Sequence, residues 1–305
     1  MNVLSLFDGM SCGQIALDQL GIHVDTYFAA EIDKYAIKVA KANYPDMIHL
    51  GDVRDVKAES LPKIDLLIGG SPCQGFSFAG KQLNFDDPRS QLFFEYVRLL
   101  KALQPKYFLL ENVKMKKESE QVITDMLGVE PIEINSNLVS AQNRRRLYWT
   151  NIPYEGAPAD KGIKLKDILE DGFTDRDKSH CIDANYFKGG NLKSYFEKNR
   201  RQLVFSDSGL CHVGDADLSG HDSLKRVYHE QGKAPTVTAN GGGNNEPKLF
   251  IEPDMWRKLT PTECERLQTV PDGYTAHVSN TQRYKMLGNG WTVDVIKHLF
   301  KGMKK

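Results

Sequence analysis

Short apolar runs alternating with helical patterns fill the first half of this chain, and no other feature constrains its fold as strongly. Residues 3–6, 26–30, 64–68 and 107–110 read as strands. Between them, residues 14–20, 34–43 and 91–103 place apolar side chains at i, i+3 and i+4, the spacing of amphipathic helices. Strand and helix in alternation predict an α/β fold, a doubly wound and mostly parallel sheet with helices on both faces. Beyond Trp149 the texture changes. Residues 151–162 are rich in Pro and Gly, and the chain to about residue 252 is polar, broken and without clear period, as expected of a smaller, irregular domain. Periodicity returns in residues 261–268 and in 293–300, the latter a closing helix.

Composition narrows the function classes. With 305 residues, 40% of them hydrophobic and 26% charged, the chain is long enough for two domains and too apolar for disorder. No apolar run approaches the roughly 18 residues that span a bilayer, and the first residues lack the basic start of a signal peptide, so no membrane association and a cytoplasmic location are expected. Forty Lys and Arg balance forty Asp and Glu, so any affinity for nucleic acid must come from local basic patches. The five cysteines, Cys12, Cys73, Cys181, Cys211 and Cys264, are scattered without a C-x-x-C pair. Free thiols are expected, with neither a disulfide framework nor a zinc site.

Several strand ends carry chemistry. Phe7 to Gly13, Phe-Asp-Gly-Met-Ser-Cys-Gly, closes the first strand and opens a helix, where glycines permit a tight turn and close approach to a ligand. Glu31 ends the second strand and Asp52 follows the next segment, so three elements line one crevice beyond the strand ends, with carboxylates suited to ribose hydroxyls. The loop has no G-x-x-x-x-G-K-[ST] pattern and carries an acid, which favours a nucleoside without polyphosphate. Ser71-Pro72-Cys73-Gln74 puts a thiol on a rigid turn after the strand 64–68, the exposure that a nucleophile needs. Glu111-Asn112-Val113 ends the adjacent strand and makes Glu111 an acid-base candidate. Taken singly, each has an ordinary reading: a turn glycine, a packed cysteine, a solvated carboxylate. In Gln142-Asn143-Arg144-Arg145-Arg146, alternation sends Arg144 and Arg146 to one face, where paired guanidinium groups can hold a phosphate or a base carbonyl.

The ordered set Phe7-Asp8-Gly9, Glu31, Asp52, Pro72-Cys73-Gln74, Glu111-Asn112-Val113, Gln142-x-Arg144-x-Arg146, Arg257-x-Leu259-Thr260-Pro261-x-Glu263 and Gly288-Asn289-Gly290 resembles the motif series of the DNA cytosine-5 methyltransferases. The likeness covers nearly the whole chain except roughly residues 154–255. It implies a Rossmann-like class I methyltransferase fold, with S-adenosylmethionine as methyl donor, S-adenosylhomocysteine as product and a flipped cytosine in double-stranded DNA as acceptor. It further implies a catalytic and cofactor-binding domain over residues 1–155, target recognition over 156–256, and a hinge and helix over 257–305 returning to the first domain. Cys73 would attack cytosine C6, Glu111 would grip N3 and the exocyclic amine, Arg146 would hold O2, and Arg144 would support the nucleophile and a nearby phosphate. Cytosine C5 is a poor nucleophile until a thiolate adds at C6, and such an enzyme must swing the base out of the duplex.

For the cofactor, the resemblance implies Phe7 against the adenine, the backbone of Asp8, Gly9, Met10, Ser11, Cys12 and Gly13 along the methionine part, Glu31 on the ribose and Asp52 on the adenine amine. Ile32, Val53, Pro72, Leu92, Asn289, Gly290 and Trp291 complete the implied cofactor site. Gln74, Ser77 and Arg89, in or beside a loop expected to close over DNA, and Thr236, matching the family's Thr-Leu pair, are implied DNA contacts. Cys181 to Gly190 and Pro235 to Gly243 are candidate groove-reading loops, and Lys193, Lys198, Arg200 and Arg201 a candidate phosphate cluster. The first loop and the final Gly-Asn-Gly-Trp-Thr-Val are more similar to the animal de novo enzymes than to many bacterial members, which leaves the roles of Asn289, Gly290 and Trp291 open. The chain is expected to act as a monomer, nucleoid-associated in a bacterial or phage-infected cell, with a cognate restriction endonuclease as the partner that many such enzymes have. The tRNA-methylating branch would carry a Cys-Phe-Thr tripeptide, which is absent here. A non-catalytic DNA-binding relative would not need Cys73, Glu111 and Arg146 together, and a nicotinamide dehydrogenase would need G-x-G-x-x-G in the first loop.

Overall fold

The computed structural model describes residues 1–71, 88–190, 192–198, 200–205, 212–215, 226–229, 248–250 and 256–304. Pro72, Cys73, Gln74, Ser77, Cys211, Thr236 and residues 235–243 lie outside the described residues, as do the side chains of Arg89 and Lys193.

Seven strands form one sheet: β1 (Asn2–Leu6), β2 (Thr26–Ala30), β3 (Ile48–Gly51), β4 (Leu66–Gly70), β5 (Tyr107–Val113), β6 (Ile132–Asn135) and β7 (Arg145–Thr150). Their spatial order is β3-β2-β1-β4-β5-β7-β6. Pairing from β3 through β5 is parallel, and β7 runs antiparallel to both β5 and β6. Successive residues point to opposite faces, so Val3, Tyr27, Leu66 and Leu109 enter one apolar cluster while Leu4, Phe28, Leu67 and Leu110 enter the other. Each such buried side chain contributes about 1.5 to 3 kcal/mol, and because both faces are covered the strands read as apolar runs. The helices α1 (Cys12–Gln19), α2 (Lys34–Asn43), α3 (Pro88–Leu103) and α4 (Lys117–Leu127) supply that cover. Asp33 caps α2 by accepting from the backbone N–H groups of Tyr35 and Ala36.

β4 begins two residues later than expected and runs through Gly69 and Gly70. A side chain at Gly69 would press on the Tyr96 ring at 3.0 Å, and one at Gly70 on the Trp291 indole at 2.9 Å, so the strand end stays bare where neighbours cross it.

The remaining described elements are α5 (Leu192–Lys198), β8 (Leu203–Phe205), β9 (His212–Asp215), β10 (Arg226–His229), β11 (Lys248–Phe250), β12 (Trp256–Lys258), α6 (Pro261–Leu267), α7 (Asn280–Asn289) and α8 (Val293–Phe300). β9, β10 and β11 make a three-stranded sheet, and β8 pairs antiparallel with β12. Leu165, Ile168, Ile182, Tyr186 and Val204 join the same apolar cluster as Val3 and Leu66. α6 starts with Pro261 behind a reciprocal Thr260–Glu263 cap, and α8 packs against α1. Among the described residues no helix is long and apolar enough to cross a membrane.

Gly288, near the end of α7, lies against the backbone of Asp183 and Ala184, where an added Cβ would overlap main-chain atoms that cannot rotate away. Gly288→Ala is expected to destabilise the protein by about 1 to 3 kcal/mol, the range for overpacking, despite alanine's better helix propensity. Urea unfolding measures it, and a midpoint at or above wild type would mean that the 183–184 segment gives way without cost.

Candidate active site

The carboxyl ends of β1, β2, β4 and β5 open into a cavity of about 650 Å³, within the size range of small-molecule clefts. The first loop shapes one wall. Phe7 (φ 56), Gly9 (φ 60) and Ser11 (φ 65) all take left-handed backbone, uncommon for a phenylalanine, and so fold the loop back over the end of β2. Asp8 donates its N–H to the Ala30 carbonyl, and its carboxylate accepts from Ser11 Oγ at 2.5 Å and Tyr27 OH at 2.9 Å. Burial pushes the Asp8 carboxyl up to about 6; the hydroxyls of Ser11, Ser5 and Tyr27 pull against that, and the Glu31 charge adds to it.

Glu31 is pinned from three sides: Oε2 accepts from Gly9 N–H, and Oε1 from the N–H groups of Ile32 and Asp33, each at 2.8 Å. A carboxylate offers about four acceptor positions, so one remains free on Oε2. Asp52 accepts from the Arg54 backbone and is gripped by the Arg54 guanidinium, Nε to Oδ1 at 3.0 Å and Nη2 to Oδ2 at 2.5 Å, which holds its carboxyl down at about 2. An adenine amine at Asp52 therefore has to share that carboxylate with Arg54.

Of the residues expected at the cofactor, Phe7, Asp8, Gly9, Cys12, Glu31, Ile32, Asp52, Val53, Leu92, Asn289, Gly290 and Trp291 reach the cavity wall. Met10, Ser11 and Gly13 do not; they are buried beneath the loop, where Gly13 packs on Ile68 and Tyr27. Burial raises the Cys12 thiol to about 12, so it stays neutral. Sequence reading missed Arg54, Gln282, Lys285 and Met286 on the same wall. Three of them ride on α7, whose polar sequence hides its buried face; the Lys285–Asp33 ion pair, 3.7 Å apart and 252 residues distant in sequence, exists only in the folded chain.

At the other end, antiparallel pairing sets Val113 opposite Arg146, which brings Arg146 Nε to 2.9 Å from Glu111 Oε1. Trp291 Nε1 donates to Glu111 Oε2 at 3.2 Å. Burial works against the Arg146 charge, but Glu111 and the Cys181 sulfur outweigh it and keep the guanidinium charged. Asn112, fully buried, donates Nδ2 to Ser71 Oγ at 3.1 Å and ties β5 to the residue from which the chain departs toward Cys73. Ser71 itself lines the cavity.

Arg144 differs from expectation. It is 2% exposed, and its guanidinium donates to the carbonyls of Ile182 (3.1 Å), Gly288 (3.3 Å) and Gly290 (2.8 Å) and to Cys181 Sγ (3.3 Å). With its donors so committed it clamps backbone segments together at the cavity wall. Arg200 lies 3.4 Å from Asp183, and Arg201 donates to the Gly189 carbonyl, so these two cations brace the 183–189 segment.

The wall chemistry suits a cationic nucleoside. Arg54, Lys285 and Arg146 each face a carboxylate and Arg144 faces carbonyls, while among the described residues Asp8 and Glu31 face no cation. Triphosphate would meet acids here, whereas a sulfonium and an ammonium would meet compensating charge.

Six strands running one way, a seventh reversed inside the far edge and a nucleoside cleft at the switch point are the fold of the class I S-adenosylmethionine-dependent methyltransferases. Entamoeba histolytica methyltransferase EhMeth shares it, with a TM-score of 0.72 at 16% identity over 100% of this chain and 99% of that one. The chain belongs to the C-5 cytosine-specific DNA methylase family, whose family model matches residues 1–305. It is 32% identical over 311 residues to type II methyltransferase M1.ScrFI of Lactococcus lactis subsp. cremoris, spanning 93% of this chain and 74% of that one. It is 26% identical to orphan methyltransferase M.SPRI of Bacillus phage SPR, spanning 99% of this chain and 97% of that one. Its reaction is methyl transfer from S-adenosylmethionine to C5 of cytosine, and its substrate is DNA.

The Asp8 carboxyl holds its proton more tightly in the folded chain than an ordinary aspartate does at 3.8, so it favours folding fully below pH 3.8 and loses that contribution as pH rises through about 6. Asp8→Asn is expected to gain stability relative to wild type between pH 4.5 and pH 7.5. Thermal melts at the two values check it; an unchanged difference would place the Asp8 carboxyl in contact with water.

Proposed function

We propose that this enzyme methylates a cytosine swung out of double-stranded DNA within a particular sequence, through a covalent adduct of Cys73 at C6. The observation that carries the reading is the Glu111–Arg146 pair at the inner end of the cavity, beside the strand end that leads into Cys73. Glu111 takes the N3 and amine edge of the base, and Arg146 holds O2. The Cys73 thiolate adds to C6, and the electron pair displaced from the C5=C6 bond makes C5 nucleophilic as N3 receives a proton at Glu111. S-adenosylmethionine supplies the electrophilic methyl group. C5 then loses its proton to a base, the C6–S bond breaks, the thiolate leaves, the C5=C6 double bond returns, and N3 gives its proton back to Glu111.

Phe7, Glu31 and Asp52 hold the adenosine end, and Asp8 faces the methionine end with the charge suited to an ammonium. Arg144 acts on the site through the carbonyls it holds. Residues 156–256 form the target-recognition part, with sequence read by side chains that contact base edges and with Gln74, Ser77, Arg89 and Thr236 among the DNA contacts. The enzyme works on DNA as a monomer, and a cognate endonuclease is the further partner in this reading.

A duplex carrying 5-fluorocytosine at the target is expected to trap the enzyme after methyl transfer, because fluorine cannot leave as a proton does. Cys73→Ala should abolish both adduct and turnover while cofactor affinity holds. A Cys73→Ala protein that still methylated C5, or an adduct mapped to Cys12, Cys181, Cys211 or Cys264, would falsify the mechanism. Glu31→Ala is expected to weaken S-adenosylmethionine binding by about 1.5 to 3 kcal/mol, the loss of hydrogen bonding to a charged group. Titration calorimetry reads this directly, and unchanged affinity would move the ribose elsewhere.

A further inference from the structure

We infer that Trp291 is a positioning residue for Glu111: its indole N–H fixes the carboxylate in the orientation that receives the base, a role separate from any contact with the cofactor. The inference rests on the reading of Glu111 as the group that takes cytosine N3. Glu111 is held between two groups from distant parts of the chain, the Arg146 guanidinium, whose Nε forms an ion pair with Oε1 at 2.9 Å, and the Trp291 indole, whose Nε1 donates to Oε2 at 3.2 Å. With one oxygen facing each partner, rotation about the terminal bond of the side chain would break the indole hydrogen bond and is opposed. The ion pair alone, which is less directional, would leave the second oxygen free to swing.

The approach of the indole is built into the sheet. Gly70 lies directly opposite Glu111 in the parallel register of β4 and β5, and a Cβ there would fall 2.9 Å from Trp291 Nε1 and 3.1 Å from Glu111 Oε2. Any side chain at Gly70 would enter the space through which the hydrogen bond passes.

The indole is also carried on a rigid turn. The Gly290 carbonyl accepts from Arg144 Nη2 at 2.8 Å and from Gln268 Nε2 at 3.1 Å, and Gly290 N–H donates to the Met286 carbonyl at 2.7 Å. On the other side, Thr292 Oγ1 donates to Gln268 Oε1 and accepts from Ser136 Oγ, both at 2.9 Å. Both neighbours of Trp291 are thus tied to buried groups. Arg144 thus reaches Glu111 at second hand: it holds the Gly290 carbonyl, the turn holds the indole, and the indole holds Glu111.

Trp291→Phe removes the N–H and keeps an aromatic wall. It is expected to slow adduct formation on 5-fluorocytosine DNA in a single turnover by about tenfold at saturating S-adenosylmethionine, rates being referred to the fraction of protein that binds cofactor. In a Glu111→Gln background the same substitution should have little further effect, because the group it acts through has gone. A wild-type rate in Trp291→Phe, a tenfold loss that persists undiminished beside Glu111→Gln, or a loss confined to cofactor affinity would each overturn the inference. Should Glu111→Gln alone leave the rate unchanged, the role of Glu111 fails; should it slow the rate while Trp291→Phe does not, only the role of Trp291 fails.

Discussion

The antiparallel pairing of β7 on β5 is the constraint on which the reactive end of this protein depends. It sets Val113 opposite Arg146 and so lays a guanidinium beside Glu111, two residues back along the same strand. Side chains alternate between faces, so a slip of one residue would turn Arg146 to the opposite side of the sheet and leave the carboxylate without its charge partner. Hydrophobic patterning guards the register: Leu147 and Trp149 lie in one core cluster and Tyr148 in the other, and any slip would exchange them. Packing energy spread over a whole strand thereby specifies one ion pair.

A second set of contacts brings the end of the chain to a site made mostly by its beginning. Gln268 joins the Leu287 and Gly290 carbonyls to Thr292 and Gln142, and Arg144 joins Gly288 and Gly290 to Ile182. Nearby, Glu263 and Glu265 have no exposed side-chain surface and are met by Arg257 and Arg283. Removing one partner of such a pair strands a buried charge, so these carboxylates tie stability to a single arrangement of α6, α7 and the residues around them. The three residues after Asn289 thus inherit their position from groups spread between Ser136 and Gln268.

At the cofactor end the logic is electrostatic. Among the described residues, cations on the wall are neutralised by their own carboxylates or by carbonyls, and the two carboxylates left facing the cavity without a cation are Asp8 and Glu31. An acid held near neutrality in its affinity for protons, as Asp8 is, favours a positively charged occupant over a neutral one at the pH of a cell. The strained backbone at Phe7 and Ser11 is what turns these groups inward.

Much of this was legible in the amino-acid order, because some of it is local. β2, α2 and α8 fall on the expected residues, since each is a sustained apolar pattern with one period and clear ends. The strand-end motifs were legible too, and with them the family, because parallel strands in an α/β sheet deliver their carboxyl ends to one edge whatever lies between them. Other elements left no such signal. β3 is a short, half-buried edge strand, and α7 is polar along most of its length, its buried face set by contacts with α6 and with the 183–188 segment rather than by a pattern of its own. Arg144 looked like Arg146 in sequence, two guanidinium groups two residues apart on the same cavity wall, and only the fold separates them: one meets a carboxylate, the other a set of backbone carbonyls. The chain's own order determined which residue types stand at the strand ends. Which of them touch, through which lone pair, and that Trp291 would reach Glu111 across a glycine, were decided by tertiary packing, because those contacts span up to 180 residues and no local period records them.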